Sequence, residues 1–156
     1  MQNPPQDAQP ESWHRFFASN GNNRAWQLAE GYSDRTSAAE LLNAAHTAAF
    51  HWRALGEELN HMRATMLLAN VHALLGHGRI ALAFAEEMRT YFLARPDTPD
   101  WERAFVHAIH AHAACAAGEA GLHASSCMPS TRALETNSEA EDRAILLKTY
   151  CQVLVP

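Results

Sequence analysis

The sequence predicts an all-α protein, and three observations carry that expectation. Ala, Leu, Glu, Met and Arg dominate the interior of the chain, and alternation of apolar and polar residues with period two is absent. Apolar and small residues instead recur at intervals of three and four, in runs punctuated by Gly and Pro. At 156 residues, 47% hydrophobic and 19% charged, the chain has the composition of one soluble globular domain, a size at which roughly 70% of the unfolded surface is buried on folding.

The N-terminal "MQNPPQDAQPES" is polar and Pro-rich, so residues 1–11 read as a disordered leader and 12–156 as a single helical domain. The first helical material, "ESWHRFFASNG", is expected to stop at Asn20-Gly21-Asn22, with a second piece in "NRAWQLAEGY". From Thr36, an N-cap with Glu40 in the following turn, a stripe runs through Ala38, Leu41, Leu42, Ala45, Ala48, Ala49, Trp52 and Leu55 to a helix stop at Gly56. A new stripe from Leu59 through Ala64, Leu67, Leu68, Val71, Leu74 and Leu75 ends at Gly76 and Gly78. The next holds Ala81, Phe84, Ala85, Met88, Tyr91 and Phe92, and stops at "RPDTPD". There Thr98 and Pro99 are expected as N-cap and first residue of a fifth helix, which runs through Trp101, Phe105, Ala108, Ile109, His112 and Cys115 to Gly118. Pro129 predicts a kink or break in the segment that follows. A last helix in "SEAEDRAILLKTY" has acidic residues in its first turns and Lys148 near its end, matching the helix dipole.

The formal charge is −5 with histidines neutral, and no run of Lys or Arg is dense enough to follow a phosphate backbone. Nucleic acid is therefore not an expected partner. No apolar run reaches the roughly 20 residues that span a bilayer, and no secretory signal is present, so a cytoplasmic protein is expected. Three cysteines, Cys115, Cys127 and Cys151, lack CxxC spacing and predict neither a disulfide framework nor a Cys-rich zinc site.

Aligned on itself, the chain sets "LLANVHALLGHG" above "IHAHAACAAGEA", with Ala69 on Ala111, His72 on Ala114 and Gly76 on Gly118, a spacing of about 42 residues. Ala69 and Ala111 are places where two helix backbones can approach, and the glycine seven residues later lets the chain turn back. Through Ala69, Gly76, Ala81, Ala85 and Met88, roughly Arg24 to Leu134 resembles the tetratricopeptide repeat (TPR) family, as about three degenerate repeats whose period exceeds the usual 34 residues. The resemblance implies a right-handed stack of antiparallel helical hairpins, a TPR-like superhelix with a C-terminal capping helix. The other reading of the same pattern is an irregular helical bundle.

The resemblance further implies a concave groove that holds a peptide or a partner helix. Carried over from Ala69 and Ala111, the groove-facing positions are Arg63, Met66 and Asn70, then Phe105 and His112, with Ala73, Ala108 and Cys115 between and beyond them. A groove with only Arg63 as a basic residue does not suit an acidic C-terminus and suits an amphipathic helix better. The apolar ends of such a stack also make a homo-oligomer an option.

The ten histidines prompt a second reading, a metal-binding enzyme or sensor. In "HAIHAH", His107 and His110 stand one turn apart and can share a divalent transition metal, while His112 points elsewhere. A third ligand would come from another helix, with His46 and His72 as candidates. Two Glu-x-x-His pairs, Glu11/His14 and Glu58/His61, occur about as often as chance allows in this composition. Ser125, Ser126 and Cys127 lie near His123, yet no Gly-x-Ser-x-Gly elbow or phosphate loop accompanies them. The expected function is thus a non-catalytic interaction module or adaptor, without a cofactor.

Overall fold

The computed structural model describes residues 3–7, 9–32 and 38–127. All regular structure among them is helical: α1 (Pro10–Glu30), α2 (Ala38–Ala54), α3 (Glu58–Leu74), α4 (Gly78–Leu93) and α5 (Asp100–Ala116). A further helical segment, α6, occupies residues 120–127. The expected cap at Thr36, the break at Pro129 and the last helix lie outside the described residues. No helix among those described is long and apolar enough to cross a membrane.

Two expectations for the N-terminal region are corrected. The helix begins at Pro10, inside the expected leader, because Pro at the first helical position loses no needed donor. Asp7 collects the entry to it: its carboxylate accepts from the Gln9 amide and the Ser12 hydroxyl, and its carbonyl accepts from the Trp13 indole. The helix then runs unbroken through Asn20-Gly21-Asn22. Gly21 lies where α2 crosses, and a Cβ there would stand 2.9 Å from the Ala44 carbonyl oxygen and 3.0 Å from the Ala48 nitrogen. Ala18, Gly21, Ala25 and Ala29 form the buried seam of α1. Close backbone approach outweighs the roughly 1 kcal/mol by which a helical Gly is disfavoured against Ala.

α3 is the central helix and touches α1, α2, α4 and α5. Its residues Ala64 to Ala73 are buried without interruption, so a single apolar stripe understates its burial, while Leu59, the expected first residue of that stripe, is exposed. Leu41, Ala45, Ala48, Leu67, Leu68 and Val71 pack between α1, α2 and α3. Met66, Ala81, Ala85, Met88, Phe92, Phe105 and Ile109 pack between α3, α4 and α5.

The three predicted glycine stops have positive φ: Gly56 at 68°, Gly76 at 72° and Gly118 at 77°. The last two also share their hydrogen bonding. Gly76 donates to Ala73 and His77 to His72, while Gly118 donates to Cys115 and Glu119 to Ala114. Each pair closes a Schellman-type helix end. At the α4–α5 junction the expectation shifts by one residue: α5 starts at Asp100 with Pro99 in the N-cap position. The Thr98 hydroxyl turns back to donate to the Phe92 carbonyl, closing α4 instead of opening α5.

Candidate functional site

Of the eight expected groove positions, only Arg63 and Cys115 are accessible, and Ala73 and Ala108 are buried. Met66 is 5% exposed, Asn70 0%, Phe105 8% and His112 8%. The placement of these four on an open surface is corrected: Phe105 meets the edges of Trp26 from α1 and Trp101 at ring separations of 6.4 and 6.3 Å, and Met66 belongs to the same apolar cluster. Aromatic side chains fill the space that a ligand would need. Arg63 reaches from α3 to the buried Glu102 of α5 at 2.7 Å, with its guanidinium 5.9 Å from the Trp101 ring. Asn70 and His112, equivalent positions of the internal alignment, meet inside the core, where His112 Nδ1–H donates to Asn70 Oδ1 at 3.1 Å. The Asn70 Nδ2 group has no hydrogen-bond partner.

The pair considered as the alternative metal site is also arranged otherwise. His110 uses both ring nitrogens, with Nδ1 2.8 Å from Ser126 Oγ on α6 and Nε2 2.9 Å from Glu86 Oε1 on α4. A carboxylate only accepts, so Nε2–H donates to Glu86 and Nδ1 accepts from the Ser126 hydroxyl. The hydrogen bond from His110 holds the Glu86 carboxyl below its usual range. His107 Nδ1 has no partner. Among the described residues, no group of three or more His, Cys, Asp or Glu side chains is placed where it could hold a metal ion.

Ser126, His110 and Glu86 have the order of a nucleophile, base and orienting carboxylate. Ser126 is only 2% exposed, however, so its oxygen meets no external carbonyl in this conformation. The three side chains tie α4, α5 and α6 together. The other nucleophile considered, Cys127, has Sγ 3.4 Å from His123 Nε2. Burial and then the charge of Cys115 push its thiol pKa up, away from the thiolate that a nucleophile requires.

The histidines that do meet are ones the sequence did not join. His14 of α1 and His51 of α2 bring their Nδ1 atoms to 2.8 Å. Around them Trp13, Phe16, Phe17 and Phe50 form an aromatic patch, with Phe50 66% and Phe17 42% exposed. A second cluster joins three elements: His72 Nδ1 lies 3.1 Å from His77 Nδ1, the His72 ring is 5.6 Å from that of His46, and it stacks on Phe84 at 5.6 Å. A signal for it was present in the five-residue separation of His72 and His77 across the Gly76 stop. The approach of His46 from α2 depended on packing.

His72 is pushed down to about 4, by burial and then by the charges of His46 and His77, and His112 to about 4 by burial alone. Burial also lowers His51, His61 and His107. Such a group takes up a proton on unfolding, so acid favours the unfolded chain. The stabilisation is full above the model-compound value of 6.5 and is lost as pH falls from there to about 4. Urea midpoints are expected to fall across that window, and to fall less in His112→Gln. A midpoint constant over the window would contradict this.

No family model, curated protein or solved structure matches the chain.

Proposed function

We propose that the chain is a TPR-like scaffold, a right-handed stack of about three degenerate helical hairpins, that binds a peptide or partner helix and catalyses no reaction. The observation that supports it most is the recurrence of one helix end, Gly76 and Gly118 with the same pair of backbone bonds, at the interval of the sequence repeat. The side-by-side packing of α1, α3 and α5, with α2 and α4 connecting them, fits the same reading.

The docking surface in this reading moves from the buried row on α3 and α5 to the exposed aromatics of α1 and α2. Phe17 and Phe50 expose apolar area that the apolar stripe of an amphipathic helix would cover. The neighbouring Arg15–Glu57 ion pair at 2.6 Å supplies a polar rim.

Affinity purification from the native cell with the full chain tests this. A partner retained by the wild type and by the remote control Arg79→Ala, but lost by Phe50→Glu with unchanged helicity, is the expected result. Identical partner sets for wild type and Phe50→Glu would overturn the assignment. So would self-association that disappears both on dilution and in Phe50→Glu, since the patch would then bind a second copy.

A further inference from the structure

We propose that the contact between His14 and His51 is a proton-operated latch, which holds the first two turns of α1 on α2 near neutral pH and releases them in mild acid. Release takes apart the aromatic patch of Phe17 and Phe50. That the patch then lets go of a partner helix rests on the docking reading above; the latch itself does not.

The number of protons the contact can hold sets the switch. The two Nδ1 atoms stand 2.8 Å apart, a distance that requires one nitrogen to donate a proton and the other to offer a lone pair. A neutral pair meets this condition, and so does a pair with one added proton, because one ring keeps its Nδ1 lone pair. A second added proton sets two N–H groups and two positive charges face to face, and the contact breaks. Burial and then the charge of His14 hold His51 below its ordinary value of 6.5. The closed latch is therefore fully stabilised above that value and loses its hold as pH falls below it.

The start of α1 is thinly attached. None of residues 10–17 is fully buried, whereas Ala18, Gly21, Ala25 and Ala29 are. The His14 and Phe17 rings lie 4.9 and 5.3 Å from that of His51, so both depend on one side chain of α2. Trp13, Phe16 and Phe17 touch one another and move as a unit. The Arg15–Glu57 pair is open to solvent and adds little. Opening thus runs as far as Ala18, where the buried seam keeps the rest of the helix in place.

The surrounding charges are engaged elsewhere. Arg15 pairs with Glu57, the charge of Arg53 on α2 acts on His61 of α3, and Glu58 of α3 pairs with Arg95. The Asp7 carboxylate accepts from Gln9 and Ser12, and Glu11, one turn before His14, is exposed, where salt screens it.

Hydrogen–deuterium exchange of the full chain at about pH 7 and about pH 5, corrected for the intrinsic pH dependence of exchange, tests the latch without any partner. Protection of residues 10–17 is expected to fall by up to about 10-fold per pH unit, the slope of one proton, while the amides of Ala64 to Ala73 stay protected. In His51→Gln this step is expected to vanish, and in Arg15→Ala to persist. His14→Gln removes the neighbouring charge and is expected to move the His51 titration, followed by NMR, up toward 6.5. Protection of residues 10–17 that is equal at both pH values, a step retained in His51→Gln, or a loss that extends equally to Ala64 to Ala73 would each overturn the proposal. Identical partner sets for wild type and Phe50→Glu would overturn the docking reading alone and leave the latch standing.

Discussion

Met66→Glu and Phe105→Glu are each expected to remove most of the stability of the fold at neutral pH. Both side chains lie in the cluster that contains Met88, Phe92 and Ile109, where a carboxylate finds apolar neighbours in place of water. Leaving an ionised group unpaired in such surroundings costs several kcal/mol, and the lost packing adds about 2–4 kcal/mol. Domains of this size are stable by only about 5–15 kcal/mol in total. Met66→Leu, which keeps the volume and the apolar character, is expected to cost less than about 1.5 kcal/mol. Urea denaturation followed by circular dichroism separates these outcomes. Glutamate variants as stable as the wild type would place both side chains in water and restore them to a docking groove.

Gly78→Ala is the second large effect. By intrinsic propensity this substitution at the start of α4 should stabilise the helix, since Ala exceeds Gly by about 1 kcal/mol. Position 78, however, faces the C-terminal end of α5. A Cβ there would overlap the Ala116 carbonyl oxygen and stand 2.5 Å from the Ala117 Cα. These are backbone atoms, so relief requires α4 and α5 to move apart. Overpacking of this kind costs about 1–3 kcal/mol, and we expect Gly78→Ala to lie at the upper end. Gly121→Ala supplies the opposite sign: it is helical, a Cβ meets nothing within 4 Å, and a gain of about 0.5–1 kcal/mol is expected. A Gly78→Ala variant as stable as the wild type would remove the close contact between α4 and α5.

Glycine shows how far the sequence could be read. Gly56, Gly76 and Gly118 were legible as helix ends because a left-handed residue after an apolar stripe is a local requirement. Gly21 was misread as a stop and Gly78 as part of one, since what they accommodate is another backbone, 23 to 39 residues away. No local pattern records that crossing. The same limit applies to Met66 and Phe105: an apolar residue at helical spacing has one appearance whether it lines a groove or fills a core, and Trp26, from a distant helix, decides between them. The polar groups follow suit. His110 takes Glu86 and Ser126 as partners at separations of 24 and 16 residues, so neither contact is written in the "HAIHAH" run.

Trp26 and Phe84 each touch both apolar clusters, one from α1 and the other from α4. A linear array of repeats can shed its terminal unit while the rest persists, because each unit depends only on its neighbours. Here one side chain of α1 and one of α4 are shared property of both cores, so neither core can melt without exposing a ring that the other holds. The described helices are therefore expected to melt together and not hairpin by hairpin, the sequence repeat notwithstanding.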